Sequence, residues 1–205
     1  MLSAVDVNGF WEIVERARGA AGPAADRAKD DGQPSEVAEA LVTELARLTL
    51  PEIVAFDRVL SDVIDGIDTW DVAAACWIIE HGFLSDDGFS DFRAGLVGLG
   101  RGAFEAVATD PDTLAGNPAV AEIAASADDK LWIGDEELLF AAQKAYERRT
   151  GDSDAFWEAV EVGPAPQADG PEPEEERWDL HDATEWRTRL PGLAGLFLAV
   201  RRVPD

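Results

Sequence analysis

Apolar residues recur at helical spacing along most of this chain, and the exceptions are as informative as the rule. Phe10, Trp11, Val14 and Ala17 mark a first helix, with Asn8 as its capping candidate and Gly19 as its expected stop. From Gly19 to Pro34 the chain is rich in Ala, Gly, Asp and Pro without a sustained stripe, which predicts a long connection or a frayed helical insert. Ser35 then caps a second helix whose stripe is Val37, Leu41, Leu45 and Leu48. Thr49 and Pro51 restart the chain as a third, with Ile53, Phe56, Leu60, Val63 and Ile64 facing inward, and the short connection predicts that these two helices are antiparallel neighbours.

The segment Trp70 to His81 breaks the amphipathic rule. Val72 through Ile79 are apolar in nearly every direction, so this helix is expected at the centre, covered on all sides. Ser85 is the N-cap candidate of the next helix: its hydroxyl can accept an orphan amide, and Asp86 and Asp87 follow where the helix dipole favours negative charge. Phe89, Phe92, Leu96 and Leu99 form the inward stripe of that helix. A short helix through Phe104 and Val107 stops before Asp110-Pro111, and a weaker one covers Pro118 to Ala125. Asp135, Glu136 and Glu137 open one continuous helix whose last turns carry Lys144, Arg148 and Arg149 before Gly151.

Beyond Gly151 the signals change. Phe156 to Glu161 repeats Phe10 to Glu15 at all but one position, which predicts a short helix over Asp152 to Glu161 burying both Phe156 and Trp157. Val162 to Arg177 is Pro-rich and acidic and reads as a solvated linker. The last segment holds Trp178, Trp186, Leu190 and Leu193, more apolar surface than a free tail keeps in water, so it is expected to dock back. Strand signals are confined to Leu131 to Ile133 and Ala194 to Val203, and the latter reads equally well as a helix after Leu190-Pro191. The expected architecture is all-α: an irregular multi-helix bundle over residues 1–160, a linker over 161–177 and a docking segment over 178–205.

Charge narrows the classes of partner. The formal net charge is −25, and Lys29, Lys130 and Lys144 are the only lysines. An acidic surface repels phosphate backbones, so no direct nucleic-acid partner is expected; a basic protein is. Cys76, the single cysteine, lies in an apolar pattern and reads as a buried structural thiol. No apolar run is long enough to span a bilayer and no signal-peptide pattern opens the chain, so the expected compartment is the cytoplasm, with no membrane contact.

Candidate chemistry gathers around one polar turn: His81, Ser85, Asp86, Asp87, Arg93 and Arg101. Arg93 lies within reach of Asp86 and Asp87 for a charge-assisted pair across the turn. His81, with Glu80, Asp86 and Asp87, has the donors of a metal site or a general base, although a helix C-terminus favours an imidazole without any ligand. Trp70, Trp77, Phe89 and Phe92 fit either a cofactor pocket or ordinary core. His181 between Asp179 and Asp182 is a weaker candidate. No phosphate-cradling loop, paired-His zinc motif, calcium loop or nucleophile elbow occurs, so no cofactor and no metal are assigned.

An ordered series of short motifs runs through the chain: Phe10-Trp11, Trp70-Asp71, Ser85-Asp86-Asp87-Gly88-Phe89, Asp91-Phe92-Arg93, Gly100-Arg101, Asp110-Pro111, Glu136-Glu137-Leu138-Leu139 and Tyr146-Glu147. This series resembles the bacterial domain-of-unknown-function family numbered 4240, from about Val7 to about Gly151, with a looser echo at Leu190-Pro191. Two departures stand out: Phe83-Leu84 where the resemblance implies Gly-Cys, and Ala94-Gly95 where it implies a Trp after the arginine. The resemblance implies no activity. The functional expectation is a protein-interaction or regulatory module; the competing expectation is a small hydrolase or other enzyme built on His81, Asp86, Asp87 and Arg93.

Overall fold

The protein is described here by a computed structural model, over residues 5–30, 33–126, 130–161 and 176–200. In chain order its elements are α1 (Val7–Ala21), a 3-10 turn (Gly22–Asp26), β1 (Lys29–Asp30), α2 (Glu36–Leu45), α3 (Leu50–Asp65), α4 (Trp70–Ile79), α5 (Asp86–Gly98) and α6 (Arg101–Thr109). A second 3-10 turn (Pro111–Gly116) leads to α7 (Pro118–Ala125), β2 (Leu131–Trp132), α8 (Glu136–Leu139), α9 (Ala141–Thr150), α10 (Ala155–Glu161), α11 (Ala183–Arg189) and α12 (Pro191–Val200). The fold is all-α, an irregular multi-helix bundle with a two-strand ribbon.

Local chemistry sets most helix starts. The hydroxyl of Ser35 accepts from Ala38 N–H at 3.1 Å, Thr49 forms a reciprocal capping box with Glu52, and Ser85 accepts from Gly88 N–H at 3.0 Å. The first helix differs from its expected limits. Asp6, not Asn8, caps it by accepting from Gly9 N–H at 2.8 Å, and it runs through Gly19 to a stop at Gly22, whose φ of 62° suits only glycine without strain. Gly19 does not end the helix because an exposed helical glycine costs only about 1 kcal/mol, less than the packing of Phe10, Trp11, Ile13, Val14 and Ala17 returns.

α4 is central, as its all-round apolar sequence predicts: Val72 to Cys76, Ile78 and Ile79 are buried, and α5, α7, α12 and the Pro111–Gly116 turn pack around it. α2 packs chiefly on α1 and α9 rather than on its sequence neighbour α3. The C-terminal segment shares this core through Trp178, Leu180, Trp186, Leu190, Leu193 and Phe197. Its docking is specific as well as apolar. Trp70 donates its indole N–H to the Trp178 carbonyl at 3.2 Å, while Trp178 donates its own to Asp71 Oδ1 at 3.0 Å. The Asp112 carboxylate caps α12, accepting from Gly192 N–H at 2.8 Å and Leu193 N–H at 2.9 Å. The predicted linker falls outside the described residues over 162–175.

Other expectations need correction. The strand signal at Leu131 is real, but its antiparallel partner is Lys29–Asp30, inside the stretch expected to be a connection. The chain from Pro191 to Val200 is helix, not strand; the candidate strand's remainder lies outside the described residues. The helix after Asp135 is interrupted at Phe140, which leaves α8 and α9 as separate pieces. Phe156 is buried against Tyr146, yet Trp157 stays 48% exposed, whereas its counterpart Trp11 is in the core. A one-turn echo of sequence does not reproduce the surface against which the original packs.

Candidate functional site

The polar turn is where α4 ends and α5 begins. α4 stops when Gly82 N–H donates to the Trp77 carbonyl at 2.7 Å, and His81 takes the left-handed position with φ of 55°. A non-glycine residue there costs roughly 1 kcal/mol. His81 is exposed and its ring lies edge-on to Phe197, centroids 6.0 Å apart. Ser85, Asp86 and Asp87 follow, all exposed, and Phe83 stands 70% exposed beside them. The segment thus presents an aromatic ring and two carboxylates together to solvent.

The arginines of the candidate turn go elsewhere. Arg93, only 7% exposed, pairs with Asp68 at 3.0 Å, donates to the Ile64 carbonyl at 3.2 Å and covers the Phe89 ring at 4.7 Å. It therefore ties α5 to the end of α3 instead of bridging to Asp86 and Asp87. Arg101 sits at the start of α6, bonded to Glu105 at 2.6 Å and to Asn8 at 3.1 Å, and its backbone N–H donates to Glu15. Neither guanidinium converges with the turn's carboxylates. Trp70, Trp77, Phe89 and Phe92 do not line a common pocket: Phe92 is core, Trp70 holds Trp178, Trp77 meets His181 edge-on at 4.9 Å and Phe89 lies under Arg93.

Against α5 lies a buried polar node that the sequence pattern did not single out. Asp135 is buried; its Oδ2 accepts from Lys29 Nζ at 2.9 Å and from Ser35 Oγ at 2.6 Å, and its backbone N–H donates to the Asp91 carbonyl at 2.8 Å. Ser35 N–H donates in turn to Glu137 at 2.8 Å. Glu80, at the end of α4, lies beside the Ile133 N–H, which favours its charged form. Asp135 Oδ1 and Glu80 Oε1 are buried without a hydrogen-bond partner. A small, partly open hollow of about 30 Å³ adjoins Lys29, Ser35 and Asp135, with room for water.

Electrostatics at the node follow from one cation serving several carboxyls. Burial pushes the Glu80 carboxyl up from 4.5 to about 7, against the opposing pull of the Ile133 N–H and of Lys29. Burial, then the charges of Glu136, Asp87 and Asp135, raises Asp91 to about 6. Burial also lowers Lys29, although Asp135 opposes this. The Ser35 N–H holds Glu137 below the usual carboxylate range. Only Ser35 as a cap and Asp135 as a helix-opening acid left a trace in the sequence pattern; that they meet, and that Lys29 joins them, is a tertiary fact.

Larger hollows lie away from the turn. One of about 270 Å³ is lined by Ala38, Glu39 and Val42 of α2 and by Glu137, Lys144 and Arg148. Another, open and about 660 Å³, runs past Trp11, Glu12, Arg16 and Arg101. Cys76 is buried, and burial raises its thiol far above the usual range, so it is no nucleophile. Among the described residues no three His, Cys, Asp or Glu side chains are arranged to hold a metal ion, and no helix is long and apolar enough to cross a membrane.

Comparison with curated proteins and with solved structures gives no match. A family model does match, over residues 5–148, and takes in α1 through most of α9, including the turn, the node and the Arg93 clasp; the chain belongs to the family described as protein of unknown function DUF4240.

Proposed function

We propose that this protein is an interaction module of regulatory type, that the α4–α5 turn is its contact surface, and that its partner presents a basic segment. The observation that carries this reading is Phe83: a large aromatic side chain 70% exposed, flanked by the exposed Ser85, Asp86 and Asp87. Aromatic side chains are prominent among residues that dominate binding energy, because they bury much area at little entropic cost. The two carboxylates supply the complement for lysine or arginine on a partner, and a net charge of −25 steers a basic partner inward over a longer range. The competing enzyme reading draws on Arg93 together with His81, Asp86 and Asp87, and of these Arg93 is engaged by Asp68 and Phe89.

The test is affinity capture from cell extract by the full chain and by Phe83→Ala and Asp86→Asn/Asp87→Asn variants. A basic protein retained by the wild type is expected to fall roughly tenfold or more in affinity with Phe83→Ala, the loss typical of an aromatic anchor. The carboxamide pair is expected to weaken capture at low salt and to flatten its salt dependence. A partner captured equally by all three proteins would remove the turn from the interaction.

A further inference from the structure

Glu80 connects the exposed turn to the buried node. It closes α4, immediately precedes left-handed His81 and stands three residues before Phe83, whose N–H donates to the Glu80 carbonyl at 3.0 Å. Its side chain reaches the backbone of Ile133 beside β2 and leaves Oε1 buried with no partner. We propose that Glu80 is a proton-operated latch on the interaction turn: neutral, it stays seated against Ile133 and holds the His81–Gly88 segment in the conformation described; ionised, it moves to water and loosens that segment.

The surroundings of Glu80 favour this. Among the described residues it faces Lys29 from β1, the Cys76 thiol from its own helix and the backbone of Ile133 just after β2. Lys29 is, among the described residues, the cation that acts on Glu80, and it is already bonded to Asp135 at 2.9 Å while Asp91 of α5 and Glu137 of α8 draw on the same charge. Asp87 and Glu136 add further negative potential around Asp91. An ionised Glu80 thus competes with Asp135, Asp91 and Glu137 for the Lys29 ammonium, and burying a carboxylate is costly. Proton uptake near neutral pH removes that charge in place, consistent with a carboxyl raised by burial to about 7. Release to solvent removes it by movement. Glu80 adjoins His81 and Gly82, so the movement reaches the turn directly.

The latch rests on the interaction reading only for its effect on binding; as a property of the chain it is tested by itself. In the full-length protein, carboxyl NMR across pH 4 to 9 should show Glu80 titrating at about 7. Amide exchange at residues 81–88 and at Ile133, corrected for intrinsic base catalysis, should lose roughly tenfold in protection between pH 6 and 8, because the ratio of ionised to neutral carboxyl rises about a hundredfold there. Glu80→Gln keeps the shape and an acceptor for Ile133, and is expected to hold low-pH protection throughout. Lys29→Gln should move the Glu80 midpoint upward. A Glu80 midpoint below about 5.5, near the ordinary range for glutamate, would overturn the latch, as would the same loss of protection in Glu80→Gln. Partner capture that depends on Phe83 but not on pH would sink the latch alone; a pH-dependent turn with capture indifferent to Phe83 would sink the interaction reading alone.

Discussion

Ser35 and Ser85 start their helices in the same way and end in opposite surroundings. Each accepts an N–H three residues on, at 3.1 Å and 3.0 Å, and each precedes acidic residues in the first turn of its helix. Ser35 is 2% exposed and also donates to Asp135, one hundred residues away in sequence, as part of a node with Lys29 and Glu137. Ser85 is exposed and serves its cap, with Phe83, Asp86 and Asp87 open to solvent around it. One local signal therefore yields a cross-link of the interior in one place and an accessible polar surface in the other. Buried polar groups bind the fold to a single arrangement, while exposed ones are left to meet a partner.

The contrast breaks most sharply at Gly95, where the node's strand segment presses on α5. A Cβ built there would stand 1.9 Å from the Ile133 carbonyl oxygen, so Gly95→Ala must push backbone from backbone and should lower unfolding free energy by more than about 3 kcal/mol in a denaturant melt. Ser35→Ala comes next, at about 2–3 kcal/mol, because it removes a cap and leaves an Asp135 oxygen short of a buried donor.

The pH dependence of Glu80 sharpens the comparison further. Its folded carboxyl is raised above the ordinary 4.5 to about 7, so the native state holds a proton that the unfolded chain gives up first. The penalty is therefore absent below about pH 4.5, grows as pH rises through that window, and is complete above about 7. Glu80→Gln should match the wild type at pH 4 and exceed it in stability by about 3 kcal/mol at pH 8, read by chemical denaturation at both values.

At the turn the effects shrink. Ser85→Ala should cost about 1 kcal/mol, the ordinary worth of an exposed cap. Phe83→Ala and Asp86→Asn should each leave stability within about 0.5 kcal/mol while changing capture of a basic partner. A Phe83→Ala variant that melts several degrees early would place that ring in the structure and take it from the interface.

Much of the helical order was legible because its causes are short-range. Ser35, Thr49 and Ser85 lie one turn from the groups they cap, and the all-round apolar run from Val72 to Ile79 carries its own burial. Lys29–Asp30 was not legible, since two residues show no periodicity and their pairing with Leu131–Trp132 depends on a contact about a hundred positions away. The same holds for Arg93: sequence distance pointed to Asp86 and Asp87, but helix direction carried its guanidinium to Asp68, in the connection after α3. Trp157 repeats the neighbourhood of Trp11 and remains half exposed, because burial belongs to the facing surface and not to the residue.

By itself, the sequence determined an all-α chain, most of its helix starts, a central α4, a C-terminal segment with enough aromatic surface to dock, and membership in the DUF4240 family. Tertiary structure alone decided that Lys29, Ser35, Glu80 and Asp135 meet in the interior while Phe83, Asp86 and Asp87 are left outside. The reason is range: caps and stripes are settled within one or two turns of chain, whereas the partner of a buried charge and the exposure of a turn are settled by which distant elements pack above it.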